Sequence, residues 1–249
     1  MRRSFVLIFW FLFFYPLSGD ASDWTRLEPG LSYRKIAVDK KHSGTVPYLI
    51  HVFKINPRQY DFRPLLAAPE KYESIRRLAD SEGAVVAVNA NFFDPTGKPL
   101  GLIIKSGKET NPFRKISWWG VFYLEKGKPR IVHSSDWKNT KGITTAIEAG
   151  PRLVVNGKVP RLKSEKSQKT AIGINEKGEV LLLTTLFPFD VGELARLLSR
   201  PESRGGLGCV AALNLDGGSS SQMYARVGAF ELRLPSYIGV PVGLGVFRK

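Results

Sequence analysis

The sequence predicts a single strand-rich α/β domain, and three observations carry that prediction. Short β-prone runs parted by Gly, Pro and Asn turns fill most of the chain. Only two segments, 74–81 and 190–199, combine helical periodicity with a capping residue. No internal repeat, heptad run or second compositional regime divides the 249 residues, a length that suits one large domain with its own core.

Ahead of that domain, residues 1–21 read as a secretory signal peptide. Arg2 and Arg3 give a positive start, 5–15 form an almost wholly apolar run, and Ser18-Gly19-Asp20-Ala21 form a small-residue exit. The run is shorter than the roughly 20 residues of a membrane span, and no cysteine follows it for lipid attachment. Cleavage after Ala21 is the expectation, giving an exported chain, periplasmic or secreted, whose domain occupies 22–249. An uncleaved anchor is the less favoured reading.

In chain order, 31–38, 47–55 and 60–66 read as strands, with Pro57 turning the chain between the last two. Ser74 is the N-cap of a helix that gathers Ile75, Leu78 and Ala79 on one face and stops at Gly83. Residues 84–88 are continuously apolar, as in a strand covered on both faces. They run out into Asn89-Ala90-Asn91-Phe92-Phe93-Asp94, and a turn at 97–99 leads to a strand at 101–105. A hairpin joins 118–125 to 130–133 across Lys126-Gly127-Lys128, and 144–150 leads through Pro151 into 152–155, where Asn156-Gly157 signals another hairpin turn.

The basic, polar stretch 158–169 reads as a mobile loop. Strands at 169–174 and 180–186 follow, turning over 175–178. Asp190 then caps a helix striped with Leu194, Leu197 and Leu198 and ended by Pro201. Strand 210–215 runs into Asp216-Gly217-Gly218 and three serines; Gln222 to Tyr224 are read as opening a helix, and 226–234 and 240–247 as closing strands. The single cysteine, Cys209, excludes an internal disulfide and is read as a buried small residue.

The formal charge is +15, and losing two arginines and one aspartate with the leader lowers it to about +14. Such an excess concentrates anions around the molecule. No basic helix or aromatic-interleaved strand gathers the lysines and arginines, so nucleic acid is not expected. Phosphate-bearing glycans or an anionic envelope surface suit the compartment better, and a monomer is expected.

Two strand exits carry the candidate chemistry. Asp216 ends a buried run and is followed by glycines that uncover the backbone, so a carboxylate stands there beside free amides and hydroxyls; a strand ending in a serine-capped turn is the bland equivalent. Asn89 and Asn91 share a face at the other exit and offer donors and acceptors for sugar or phosphate oxygens, with an Asx turn as the alternative. Glu148 lies between strands beside Gly150-Pro151, where a fixed backbone could hold it for acid or base work, although a loop-borne surface glutamate is the commoner fate.

Other chemistries lack their signatures. His42, His51 and His133 have no zinc spacing, and Ser219 has neither a nucleophile-elbow context nor an evident histidine partner. No cofactor is expected; a divalent cation on Asp216 and Asn oxygens is compatible with the residue types, but no spacing requires it.

Four motifs in fixed order then resemble the phosphodiester glycosidase domain family. They are Val88-Asn89-Ala90-Asn91-Phe92-Phe93-Asp94 with Gly101-Leu102, Glu148-Ala149-Gly150-Pro151-Arg152-Leu153-Val154 with Asn156-Gly157, Lys169-Thr170-Ala171-Ile172-Gly173, and Asn214-Leu215-Asp216-Gly217-Gly218-Ser219-Ser220. The resemblance covers roughly 84–249. It implies a domain of strongly curved mixed sheets flanked by a few helices, and hydrolysis of the bond between a sugar's anomeric carbon and a phosphodiester oxygen. It implies Asp216 and Glu148 as the catalytic carboxylates. Arg152 and Lys169, with the amides of Gly217, Gly218, Ser219 and Ser220, would hold the phosphate, and Asn89 and Asn91 would bind sugar or phosphate oxygens. This chain has Asn91 and Ser219 where the family usually has glycine, and Lys169 in place of an arginine, which keeps the charge without the planar two-pronged grip. A non-catalytic periplasmic protein that binds anionic phosphate-bearing glycans in the same pocket is the competing expectation.

Overall fold

The computed structural model describes residues 24–38, 48–139 and 141–249; the predicted leader, and Pro47 at the start of one predicted strand, lie outside the described residues. Three large sheets and one two-stranded sheet make up the described chain. A seven-stranded sheet runs in the order Thr25–Glu28, Leu31–Val38, Tyr48–Ile55, Val180–Thr185, Thr170–Asn175, Cys209–Asn214, Arg152–Val155. A five-stranded sheet runs Lys108–Asn111, Ile103–Lys105, Ile143–Ala149, Gly120–Glu125, Lys128–His133. A second one runs Phe230–Leu234, Met223–Val227, Val86–Asn89, Val242–Arg248, Tyr60–Leu66.

Every strand pair among the described residues is antiparallel, which corrects the expectation of mixed sheets and leaves the α/β label only loosely apt. The reason lies in the connections. Parallel neighbours need a crossover of a dozen or more residues, usually helical, and the described chain has two short α-helices, Ile75–Glu82 and Val191–Ser199.

The large sheet is covered on both faces, and the alternation along its strands divides the cover. Phe53, Ile55, Val180, Leu182, Ile172 and Leu213 face a core shared with Val86, Val88, Phe122, Ile147 and Leu244 of the smaller sheets. Their neighbours Ile50, Val52, Leu181, Leu183, Ala171 and Ala212 pack under Leu194 and Leu198 of the second helix. Cys209 lies in that second layer, 1% exposed, its thiol pushed up by burial. A β-carbon added to Gly173 would stand 2.6 Å from its sulfur.

Both helices start and stop where the sequence places their caps. Ser74 accepts from the Arg77 amide and Gly83 ends the first helix at φ 75°, the left-handed conformation that favours glycine. Asp190 accepts from the amides of Gly192 and Glu193. The first helix lies on Ala87, Tyr224 and Phe247. It approaches so closely that a β-carbon on Gly243 would stand 2.7 Å from Ile75 Cδ1.

Two sequence readings change here. Gln222 to Tyr224 open no helix: the serine run makes one 3-10 turn, Gly218–Ser220, and Met223–Val227 is a strand between Val86–Asn89 and Phe230–Leu234. The predicted single strand 226–234 is therefore a hairpin turning at Gly228, φ 56°. The basic stretch 158–169 also carries a short ordered strand, Lys166–Ser167, paired with Phe189–Asp190. Thr25–Glu28 and Lys108–Asn111 have no counterpart in the sequence reading.

Candidate active site

Where the Val86–Asn89 strand ends, three remote segments are tied to one side chain. Asn89 is wholly buried; its Nδ2 donates to the Asp216 carbonyl at 2.6 Å, and its Oδ1 accepts from Thr170 Oγ1 at 2.7 Å and from the Gln222 amide at 3.0 Å. The backbone adds Asp216 N to Ala90 O, Leu215 N to Thr170 O and Gly218 N to Gln168 O, at 2.9, 2.9 and 2.8 Å. A fourth segment joins through Asn214, whose Nδ2 donates to Gly150 O at 3.0 Å.

On this platform the Asp216 carboxylate stands half-buried at the surface. Burial raises its pKa to about 6, against hydrogen bonds from the Ser220 hydroxyl and the Gly217 amide that favour the ionised form. The Gly217 bond, to Oδ1, is 2.9 Å. A carboxyl on a half-buried residue, with a pKa near neutrality, can be the base, nucleophile or cation stabiliser of a hydrolysis.

The other residues singled out from the sequence land in quite different surroundings. Asn89 presents nothing to a ligand, since both ends of its amide are engaged inside the fold; it positions the Asp216 turn. Asn91 is 1% exposed and braces three carbonyls, those of Leu100, Leu102 and Glu148, at 3.2, 3.2 and 3.0 Å, leaving its Oδ1 buried without a partner. Both amides expected to contact sugar or phosphate are thus buried and bonded within the fold.

Most of the amides expected to cradle phosphate are also engaged. Gly217 N bonds the Asp216 carboxylate, Gly218 N bonds Gln168 O and Ser220 N bonds Gly217 O. Ser219 is the exposed member of the turn, and its carbonyl accepts from Ser236 Oγ.

Glu148 is in a strand, not a loop, and is 0% exposed. Its Oε2 accepts from the amides of Leu102 at 2.7 Å and Arg114 at 3.0 Å, while Oε1 is buried without a partner. Burial raises its pKa, opposed by those two amides and the charge of Arg114. With no exposed surface it cannot meet a substrate as it stands, so the structure does not present it as a second reacting carboxylate.

Lys169 is 2% exposed, and its ammonium meets Glu165 Oε1 and Ser167 Oγ, both at 2.8 Å. A β-carbon on Gly217 would stand 3.9 Å from the same Ser167 oxygen, so this charge lies beside the Asp216 turn. Arg152 is half-buried with its stem across Gly120; burial lowers its pKa and Asp136 raises it. Thr170, Asn214, Glu165 and Arg114 join the list from the structure. The first two lay inside motifs already singled out, whereas the last two carry no local signal.

Among the described residues no three His, Cys, Asp or Glu side chains cluster as metal ligands would. Asn89 Oδ1 already accepts two bonds, which removes it from any cation set built on Asp216.

Comparison with known proteins places this geometry in context. Residues 82–247 match the family model described as phosphodiester glycosidase. YigE of Escherichia coli, an uncharacterised protein, is 33% identical over 122 residues, 43% of this chain and 48% of its own; the chain thus spans about half the length of that curated relative. Among solved structures, the catalytic domain of zebrafish N-acetylglucosamine-1-phosphodiester alpha-N-acetylglucosaminidase, auto-inhibited by its pro-peptide, superposes with a TM-score of 0.71 at 18% identity, covering 89% of this chain and 85% of that one. A hypothetical protein of Synechocystis gives 0.60 at 16% identity, covering 89% and 62%. At such identities the two structures speak to fold alone.

Proposed function

The chain belongs to the phosphodiester glycosidase family, and from that membership we propose that it is an exported hydrolase cleaving the anomeric carbon–oxygen bond of a sugar-1-phosphodiester in an envelope or extracellular glycan. The observation that carries the reading is Asp216: a half-buried carboxylate at a strand exit, fixed by Asn89, with a pKa of about 6.

Ionised Asp216 takes a proton from an attacking water or steadies the positive charge that develops at the anomeric carbon. The water oxygen bonds to that carbon, and the electrons of the broken bond leave with the phosphate monoester. That leaving group is already a stable anion, so one accessible carboxylate suffices where an ordinary glycoside needs a second to protonate the departing oxygen. Phosphate recognition falls to cations: Lys169 with Ser167 offers a preformed anion site, held by the Glu165 carboxylate until a phosphate exchanges for it. Glu148 positions its neighbours.

The sealed Glu148 and the engaged Lys169 also favour a second reading, a periplasmic protein that binds phosphate-bearing glycan without cleaving it. Incubating the protein with N-acetylglucosamine 1-(methyl phosphate) and measuring released reducing sugar separates them. Release that disappears with Asp216→Asn supports the hydrolase. Saturable binding with no release supports the second reading and defeats the first.

A further inference from the structure

Trp118 is 54% exposed, a large apolar ring turned to solvent, while Trp119 beside it is 4% exposed. The exposure is not the result of a loose loop. Glu148 Oε2 holds the Arg114 amide, Ile116 O accepts from Trp119 N at 3.1 Å and from Ser134 Oγ at 2.5 Å, and Ser117 O lies 2.9 Å from His133 Nε2. Underneath, Trp118 meets Trp119 edge-on at 5.7 Å and Phe92 at 6.5 Å. Phe92 follows by two residues the Ala90 carbonyl that fixes Asp216. Arg114 and Lys115, both exposed, share the segment.

We propose that segment 112–118 is a glycan-binding lip beside the Asp216 turn, with the Trp118 indole as a platform for a sugar unit adjoining the one at Asp216. This rests on the reading of the site as a sugar-phosphodiester site. An indole offers an apolar face to the C–H face of a pyranose and an N–H to its hydroxyls. A large apolar side chain held in water by a pinned backbone loses little freedom when it binds, which is what a recognition surface requires. The adjacent cations match a glycan that carries phosphates. Glu148 is the positioning residue of the lip: its carboxylate joins the Arg114 amide to the sheet that ends beside the Asn214–Gly150 bond.

The test compares Trp118→Ala and Trp118→Tyr with the parent on N-acetylglucosamine 1-(methyl phosphate) and on the same diester of a trisaccharide. The proposal expects Trp118→Ala to raise KM for the trisaccharide about tenfold with kcat within about twofold, a smaller loss on the single sugar, and recovery of most of the difference by Trp118→Tyr. Equal losses on both substrates, or none on either, overturn it. So does a Trp118→Ala variant that loses binding to vesicles of anionic phospholipid while its trisaccharide kinetics stay intact. If the parent cleaves neither diester, the reaction reading fails. Calorimetry with the phosphate-free trisaccharide then decides the platform separately: weaker binding by Trp118→Ala supports it and equal binding removes it.

Discussion

At the scale of single residues, Asp216 combines chemistry with a cost to folding. Its folded pKa of about 6 lies above the ordinary 3.8, so the folded chain holds this proton more tightly than the unfolded one. The contribution of Asp216 to stability is therefore greatest below the lower value and falls as pH rises from about 4 to about 6. The loss is at most about 3 kcal/mol at roughly 1.4 kcal/mol per pKa unit. Asp216→Asn should accordingly melt at an equal or higher temperature than the parent at pH 7, with the difference vanishing near pH 4, while turnover drops at least about a hundredfold. A melt curve and a reducing-sugar assay check the two halves. In the parent, kcat/KM should decline below about pH 6 as the carboxylate protonates, with unit slope on a logarithmic plot.

Asn89→Ala should act through the fold. It strands the Gln222 amide, the Thr170 hydroxyl and the Asp216 carbonyl, and a buried polar group left unpaired costs about 1–3 kcal/mol. Urea unfolding should show a loss of at least that size together with lost activity. The place of Asp216 at a strand exit was legible in the sequence because an apolar run that stops at a carboxylate and two glycines marks the end of a buried strand. Glu148 was misread as loop-borne because Gly150 and Pro151 announce a bend, whereas the cover of Trp119, Leu102 and Arg114 that seals the carboxylate comes from segments remote in the chain.

At the scale of elements, segment 158–168 brings Glu165 onto Lys169 and Ser167. The side chain is 66% exposed, with its pKa lowered first by the Lys169 bond and then by Ser167, and in the proposed site it occupies the place of a phosphate oxygen. Glu165→Gln should remove that competitor and lower KM for a sugar phosphodiester severalfold, leaving kcat little changed; steady-state kinetics at pH 7 measure it, and an increased KM would mean that Glu165 itself contacts the substrate. Both helices were legible because Ser74, Gly83 and Asp190 cap them and caps are local. The strand Met223–Val227 was not. Gln, Met and Tyr tolerate a helix, and pairing with Val86–Asn89 on one side and Phe230–Leu234 on the other decides for the sheet.

At the scale of the whole molecule, the sequence carries a formal charge of +15, and its described residues form antiparallel sheets. A polyanionic glycan should be drawn to it at long range, so kcat/KM on a multiply phosphorylated glycan should fall steeply as salt rises from about 0.05 to about 0.5 M, while a singly charged diester should respond weakly. Equal salt dependence would show that the surplus charge has no part in recognition. Charge and strand content could be read along the chain. Strand order could not: Ile172 lies between Leu182 and Leu213, and nothing in the neighbourhood of any of the three names the others.

Cys209, the chain's lone thiol, is walled in beneath the second helix. An aromatic disulfide reagent should find no target in the native protein and react only as fast as the large sheet opens, so the colour it releases works as a clock for unfolding. Any variant described above whose clock keeps parental time has changed its chemistry and kept its architecture.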